Sequence, residues 1–173
     1  MNKSAVFSPD HKYRYLLDRS WNDGDKGILM FCMLNPSTAN EKDDDPTVRR
    51  CIGFARDWGY TGIRIVNLLA FVSSNPKELL GQIIVFQLKQ NDSYILNAAM
   101  LASKIVVAWG EFGTHLPNRI EHVLEILNWK PVYCFGKNKS GQPRHPLYVK
   151  KMPEYALQVY QPSVAKLTTV GTK

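Results

Sequence analysis

The stretch GILMFCMLNPSTANEKDDDPTVRRC at residues 27–51 decides the fold of this chain. It opens with a continuous apolar run, Gly27–Leu34, which predicts a strand buried on both faces. The run ends at Asn35-Pro36, because a proline restricts the residue before it to extended or turn conformations. Asp45 followed by Pro46 then predicts the start of a helix, with aspartate as the N-cap and proline at the first helical position.

Strand-like and helix-like patterns alternate outward from this unit in both directions. The further predicted strands are Tyr13–Asp18, Gly62 to about Phe71, Ile105–Ala108 and Pro131–Phe135. The predicted helices are Pro46–Trp58, one capped by Asn91-Asp92 and running through Leu101, and one from His115 or Pro117 to about Leu127. The interval from Pro76 to Gln90 is ambiguous. This alternation predicts an α/β fold of three layers, α/β/α, with a mainly parallel central sheet.

Length and composition indicate one ordinary globular domain. The chain has 173 residues with a hydrophobic fraction of 45%, enough for a sizeable core without disulfides. We expect a single domain over residues 1–162 and a loose tail over 163–173, where large apolar side chains are few. No apolar run approaches the roughly 20 residues that cross a bilayer, and we see no secretory signal. We therefore expect a cytoplasmic protein without a membrane partner.

The formal net charge of +7 favours a polyanionic partner, DNA or a nucleotide. Basic residues are concentrated in one loop region: Lys137, Lys139, Arg144, Lys150 and Lys151. A solvated basic loop would give the same composition, so charge alone leaves both interpretations open.

Neither the cysteines nor the acidic run predicts a metal site. Cys32, Cys51 and Cys134 are too few and too scattered for a disulfide framework or a metal knuckle. The run Asp43–Asp45 could offer oxygen ligands to a divalent cation. It is explained more simply by a helix cap at Asp45 and by favourable charge at the helix N-terminus. We predict no cofactor and no metal.

Polar residues stand where each apolar run ends, and ligands bind beyond the carboxyl ends of the strands in open α/β sheets. We therefore expect Asn35, Asn67 and His145 to meet in one site. The loop that carries His145 is GKNKSGQPRHPLY, residues 136–148. The other predicted contacts to a ligand are Pro36, Ser37, Thr38, Trp109, Gly110, Arg144, Pro146, Tyr148, and Arg49 and Arg50 from the first helix.

Each central residue has a structural alternative. Asn35 can hold a water or a carbonyl, or it can be a turn asparagine bonded to its own backbone. Asn67 lies in the apolar run IRIVNLLAF, where an unpaired amide costs roughly 1–3 kcal/mol; its paired donor and acceptor suit a base edge. His145 can donate to an anion, or it can be a surface histidine.

Two resemblances rest on these motifs. Residues 13–149 resemble an uncharacterised family of bacterial and phage proteins, through MLNPSTANEKDDDPTVRRCIGFARDWGY, VNLLAF, AWG and GQPRHPLY. More distantly, the chain resembles the uracil-DNA glycosylase superfamily. That resemblance rests on MLNPS at 33–37, IVNLLAF at 65–71, VVAWG at 106–110 and RHPLY at 144–148.

The glycosylase resemblance implies a uracil-DNA-glycosylase-like fold and a role for each polar residue. Asn35 would position the attacking water, Asn67 would read the pyrimidine edge, and His145 would stabilise the departing base as an anion. The chain departs from the pattern at Ser37, where glycine is expected, and at Leu147, where serine is expected. It also has no aspartate in the water-activating place of the first motif.

Three hypotheses follow. The first is a DNA glycosylase-like hydrolase of N-glycosidic bonds, acting on a modified or damaged base that is extruded into the pocket. The second is a protein that binds a nucleotide, nucleobase or nucleic acid in the same pocket without catalysis. The third is a phage or mobile-element factor that binds another protein. The sequence has no Ser-His-Asp order, P-loop or GxGxxG motif, which argues against a triad hydrolase, an NTPase and a dinucleotide enzyme.

Overall fold

The structure is a computed structural model that describes residues 1–81 and 85–162. Its strands are β1 Asn2–Phe7, β2 Arg14–Ser20, β3 Ile28–Met33, β4 Gly62–Asn67, β5 Lys104–Val107, β6 Val132–Cys134 and β7 Gln158–Val159. Its helices are α1 Pro46–Asp57, α2 Val85–Leu101 and α3 Pro117–Ile126, with short 3-10 segments at Pro76–Gly81, Glu111–His115, Pro146–Tyr148 and Glu154–Ala156. The tail predicted over 163–173 lies outside the described residues.

All seven strands form one sheet in the order β1-β2-β4-β3-β5-β6-β7. The four consecutive strands β4-β3-β5-β6 are parallel, and the other three pairings are antiparallel. The α/β class is therefore confirmed, but a mainly parallel sheet is not, because the sheet is mixed. The short connection from β1 to β2 suits an antiparallel hairpin, whereas parallel neighbours need a long crossover. The sequence did not predict β1 or β7, since both are exposed edge strands.

Helices pack on both faces of the sheet, and the strands supply alternate side chains to two cores. Phe31 and Met33 of β3 face the core that α1 covers. Met30 and Cys32 face the core that α2 and α3 cover. A strand buried on both sides reads as a continuous apolar run, which is why Gly27–Leu34 was recognisable as β3. Among the described residues, no helix is long and apolar enough to cross a membrane.

The start of α1 agrees with the sequence prediction. Asp45 Oδ1 accepts a hydrogen bond of 2.8 Å from the Val48 backbone N–H, and Pro46 is the first helical residue. After the helix, Gly59 adopts φ 83°, a left-handed conformation that glycine reaches without strain. The acidic run serves this local structure. Within residues 1–81 and 85–162 no cluster of His, Cys, Asp and Glu is arranged to hold a metal ion.

The predicted cap at Asn91-Asp92 is wrong, because α2 already begins at Val85. Asn91 is buried inside the helix, where its Nδ2 donates to the backbone carbonyls of Asn67 (2.9 Å) and Leu68 (3.2 Å). Asp92 forms an ion pair of 2.6 Å with Arg119 of α3. These polar side chains hold the end of β4 against both helices. Asn followed by Asp is also the sequence pattern of a helix cap, so the sequence could not distinguish a cap from buried polar residues inside a helix.

A β-bulge changes the direction of the first side chain of β2. Val6 pairs with Leu16, but the next residue of β1, Phe7, pairs with Arg14, so Tyr15 is one extra residue. Bulges of this kind often re-aim a side chain next to a functional site. Here the bulge turns Arg14 towards the face of the sheet that α1 covers, where its guanidinium bonds to Ala39.

Candidate functional site

A cavity of about 870 Å³ opens where β3 and β5 end. The carboxyl ends of these two neighbouring parallel strands form its back wall, while the N-terminus of α1 and the loops at 73–76 and 138–148 form its sides. Its position agrees with the general rule for ligand sites in α/β sheets. The structure brings these sequence-predicted residues to its wall: Asn35, Ser37, Trp109, Gly110, Arg144, His145 and Tyr148.

Five other predicted contacts do not line this cavity. Pro36 and Pro146 are buried, and Thr38 lines a second cavity of about 660 Å³ next to the first. Arg49 donates to the backbone carbonyl of Asp44, and Arg50 donates to that of Val149. The two arginines are thus occupied in holding neighbouring loops against α1.

Asn67 lies behind the cavity wall instead of on it. It is only 1% exposed, and neither its Nδ2 nor its Oδ1 has a hydrogen-bond partner among the residues that the structure describes. Its register neighbour on β3 is Met33, which does line the cavity. The expected meeting of Asn67 with Asn35 and His145 on one wall is therefore wrong in this structure. The sequence located the polar residue in the apolar run, but it could not show that its side chain would be buried away from the cavity.

Asn35 has the turn role that the sequence offered as the structural alternative. Its Nδ2 donates to the backbone carbonyls of Pro36 and Ser73, each at 2.8 Å, so it fixes the turn and the loop opposite. No described residue donates to its Oδ1. Because Asn35 lines the cavity, this carbonyl oxygen is an acceptor that a water or a ligand N–H can use.

His145 is held in one tautomer. Its Nδ1 accepts a hydrogen bond of 3.4 Å from the Leu147 backbone N–H, so the proton of the neutral ring lies on Nε2. Burial lowers the pKa of His145 below its ordinary value, and the negative charge of Asp45 opposes this shift only in part. The ring is therefore a neutral N–H donor at pH 7.

The backbone at Gly110 allows His145 to approach the end of β5. Gly110 has φ 76°, and a Cβ at this position would lie 3.3 Å from the Cβ of His145. The Gly110 N–H donates to the Pro143 carbonyl at 3.0 Å. Next to it, Trp109 Nε1 donates to Gln142 Oε1 at 2.7 Å. These contacts fix the 136–148 loop on the sheet, so the conformation at Gly110 decides where the imidazole lies.

Sequence reasoning missed Arg14, and it considered Asp45 as a helix cap or a cation ligand but not as part of this site; both residues line the cavity. Arg14 is 2% exposed, and burial lowers its pKa to about 10, which leaves it charged at pH 7. A cation within the aromatic run YRYLLD was the available signal. The bulge that directs Arg14 into the cavity has no signature in the sequence, so the alternation of the strand gave no reason to place it there.

The charged side chains on the wall are mostly basic. The basic residues Arg14, Lys139 and Arg144 and the acidic residues Asp45 and Glu111 line the cavity. Glu111 Oε2 accepts a hydrogen bond of 2.8 Å from Ser140, and Asp45 Oδ1 caps α1. Each of these two carboxylates thus already accepts one hydrogen bond from the protein. The three cationic side chains also outnumber the two carboxylates. The cavity suits a ligand with an anionic part and a polar, neutral part.

Comparison with known proteins gives a family but no activity. The model of the family described as "Protein of unknown function (DUF1643)" matches residues 14–147, which is most of the chain. No curated protein and no solved structure matches it. The predicted resemblance to an uncharacterised family is confirmed, and none of these comparisons supports the resemblance to uracil-DNA glycosylases.

Proposed function

The chain belongs to the DUF1643 family of proteins of unknown function, and we propose that it hydrolyses the N-glycosidic bond of a nucleobase compound bound in the cavity. One observation carries this proposal: Asn35, Asp45 and His145 line the same cavity. Its volume of about 870 Å³ lies within the range of roughly 300–1,000 Å³ of small-molecule sites.

Each of the three groups has a part in the reaction. Asn35 Oδ1 accepts a hydrogen bond from the attacking water, and the Asp45 carboxylate takes the proton that this water loses. The water oxygen forms the new bond to C1′ while the bond from C1′ to the base nitrogen breaks. The bonding electron pair leaves with the base, and His145 donates from Nε2–H to stabilise the charge on the base.

The ring next to His145 supports recognition of a base. Tyr148 is 83% exposed and lines the cavity mouth, with its ring centroid 5.8 Å from that of His145. An exposed aromatic face of this kind stacks on a base with little dependence on its identity. Trp109 is 1% exposed and has its N–H engaged, so it shapes the wall and does not stack.

We propose two substrate classes for the same chemistry. The uracil-DNA glycosylase resemblance favours a modified or damaged base in DNA, and helices on both faces of parallel strands β4-β3-β5-β6 are compatible with it. The basic loop residues, of which Lys139 and Arg144 line the cavity, suit nucleic acid or a free nucleotide equally.

Binding without catalysis is the second candidate. Asn35 Nδ2 holds the Ser73 loop and Asp45 Oδ1 caps α1, so both residues have structural roles that do not require a reaction. In this case the cavity would take the same ligand and release it unchanged.

Base release from a defined panel tests the proposal. The panel contains DNA with uracil, hypoxanthine or a modified base, together with the matching nucleosides and nucleotides. Chromatography detects free base, and alkaline cleavage detects abasic DNA. We expect release from at least one class, lowered about 10²–10³-fold in His145→Ala.

Asp45→Asn is the sharpest variant, because asparagine caps helices about as well as aspartate. We expect it to fold normally and to lose about 10²–10⁴-fold in rate as a missing general base. Release by Asp45→Asn at the rate of the unmodified protein would remove the assigned mechanism. No release from any substrate, together with saturable binding, would favour the second candidate.

A further inference from the structure

Three arginines are buried in the described part of the chain: Arg14, Arg19 and Arg119. Two of them have a carboxylate within ion-pair distance. Arg19 Nε lies 2.6 Å from Asp44, and Arg119 Nη1 lies 2.6 Å from Asp92. Among residues 1–81 and 85–162, no carboxylate lies within ion-pair distance of Arg14. It is therefore a buried cation whose charge the protein does not neutralise by contact, and that state is strongly unfavourable unless something else supplies the negative charge.

The unused hydrogen-bond donors of Arg14 lie on one edge of its guanidinium. Nη1 donates to the Ala39 carbonyl at 2.6 Å. Within residues 1–81 and 85–162, Nε is buried without a hydrogen-bond partner, and no acceptor lies within hydrogen-bond distance of Nη2. Nε and Nη2 together form the edge that binds a phosphate or a carboxylate through two parallel hydrogen bonds. The donors that remain are those required for an anion.

The position of Arg14 in the fold points to a ligand and not to another part of the protein. Its side chain lines the 870 Å³ cavity although it is only 2% exposed, so a ligand in the cavity would lie next to a buried cation. The negative charge of Asp45 acts on Arg14 from a distance, without a salt bridge between them. Lys139 and Arg144 line the same cavity nearer solvent and would attract an anion towards it.

We propose that Arg14 is the anion-binding subsite of this cavity and that it receives the terminal phosphate of a free nucleotide. The anion subsite stands on the contacts of Arg14 alone, whereas the nucleotide rests on the proposed function. A terminal phosphate can reach a guanidinium at the inner end of a cavity. An internal phosphodiester carries chain on both sides and cannot, so this subsite favours a nucleotide over a base in DNA.

Titration with inorganic phosphate tests the subsite without reference to any reaction. Calorimetry or NMR of the full chain should show saturable phosphate binding, weakened at least about tenfold in Arg14→Met, since charge-assisted bidentate bonds are about twice as strong as neutral ones. Arg14→Lys should keep part of the affinity as a point charge. Lys139→Gln is the control for general attraction and should lower the affinity less than Arg14→Met.

The nucleotide is tested by comparing a nucleoside with its 5′-monophosphate. We expect the monophosphate to bind the unmodified protein at least about tenfold more tightly and the difference to disappear in Arg14→Met. Circular dichroism confirms that each variant is folded. If Arg14→Met does not fold, the test becomes whether phosphate raises the unfolding midpoint of the unmodified protein, as binding to the native state requires.

The possible results separate the two proposals. Arg14-dependent phosphate binding without release of base from any substrate keeps the subsite and ends the hydrolase. Equal affinity for nucleoside and monophosphate ends the nucleotide assignment. Phosphate binding that is absent, or unchanged in Arg14→Met, overturns the subsite itself.

Discussion

Strand β2 has a buried arginine near each end, and the two differ in how the protein treats their charge. Arg19 is neutralised by Asp44 and donates to the carbonyls of Asn40 and Asp18. Arg14 donates to Ala39 and has no carboxylate partner among the described residues. Both reach the loop that precedes α1 from the same face of the sheet. The surroundings are therefore similar, and the difference lies in the acceptors.

This difference distinguishes a buried charge that stabilises the fold from one that is available to a ligand. A buried ion whose donors are all satisfied holds a loop in place, as Arg19 does for residues 40–44. A buried cation without a carboxylate partner destabilises the empty protein, and a bound anion would supply the missing negative charge. We call these the closed end (Arg19 with Asp44) and the open end (Arg14 with the cavity) of β2.

The largest effect should come from the closed end. Arg19→Met leaves Asp44 with only the partly exposed Lys3 as its ion-pair partner, and removing the buried member of such a pair costs about 3–5 kcal/mol of stability. Urea unfolding measures this loss. The double variant Arg19→Met/Asp44→Leu removes both charges and should recover much of it. A loss below about 1 kcal/mol in the single variant would show that the pair at the closed end contributes no more than an exposed salt bridge does.

At the open end, Gly110→Ala should cost about 1–2 kcal/mol, because alanine adopts a left-handed conformation only with strain. The new Cβ would also lie 3.3 Å from the Cβ of His145. Displacing the imidazole should lower the rate of base release at least about tenfold, since small misplacements are costly in catalysis.

A glycine in α1 provides the control for Gly110→Ala. Among the described residues, nothing lies within 4 Å of a Cβ added at Gly53, so Gly53→Ala should stabilise the protein by about 0.5–1 kcal/mol. Equal effects at the two positions would show that Gly110 has no special role at the open end.

Much of the sheet could be predicted from the sequence, because its inner strands are apolar on both faces. Gly27–Leu34 and Ile105–Ala108 predicted β3 and β5 closely. The outer strands could not be found in this way, since β1 and β7 are exposed and follow no apolar pattern. The direction of the edge pairings depends on connection lengths and long-range contacts. The prediction of a mainly parallel sheet was therefore inaccurate, because it assigned to the whole sheet the parallel pairing of the strands β4-β3-β5-β6.

Site residues that directly follow a strand or lie in a loop could be predicted from the sequence. Residues whose side-chain direction depends on register or packing could not. Asn35 and His145 were placed at one cavity from the ends of predicted elements alone. Asn67 was not, because its burial away from the cavity depends on tertiary packing. Arg14 was not, because a single extra residue at Tyr15 reverses the face to which it points. Such changes follow from register, which the local sequence does not encode.

A smaller effect concerns the pH dependence of stability at the open end. Burial lowers the pKa of His145, so the unfolded chain binds this proton more readily than the native protein. Its contribution to stability is therefore present above about pH 6.5 and is lost as pH falls towards the lower native value. We expect His145→Asn to lose less stability than the unmodified protein between pH 7 and pH 5, by a fraction of a kcal/mol.

Asparagine is suited to this comparison because its side-chain oxygen can accept from the Leu147 N–H as Nδ1 does. Urea unfolding at a series of pH values gives the two curves. Parallel curves would show that His145 does not titrate differently in the native protein.

The most direct test of the open end is the free energy of unfolding of Arg14→Met in buffer without phosphate or other polyvalent anions. If Arg14 serves a ligand, removing its unneutralised charge offsets the lost bond to Ala39. Arg14→Met should then match the unmodified protein within about 1 kcal/mol or exceed its stability. A loss of about 3–5 kcal/mol, as expected for Arg19→Met, would contradict the account, because Arg14 would then be as structural as its counterpart.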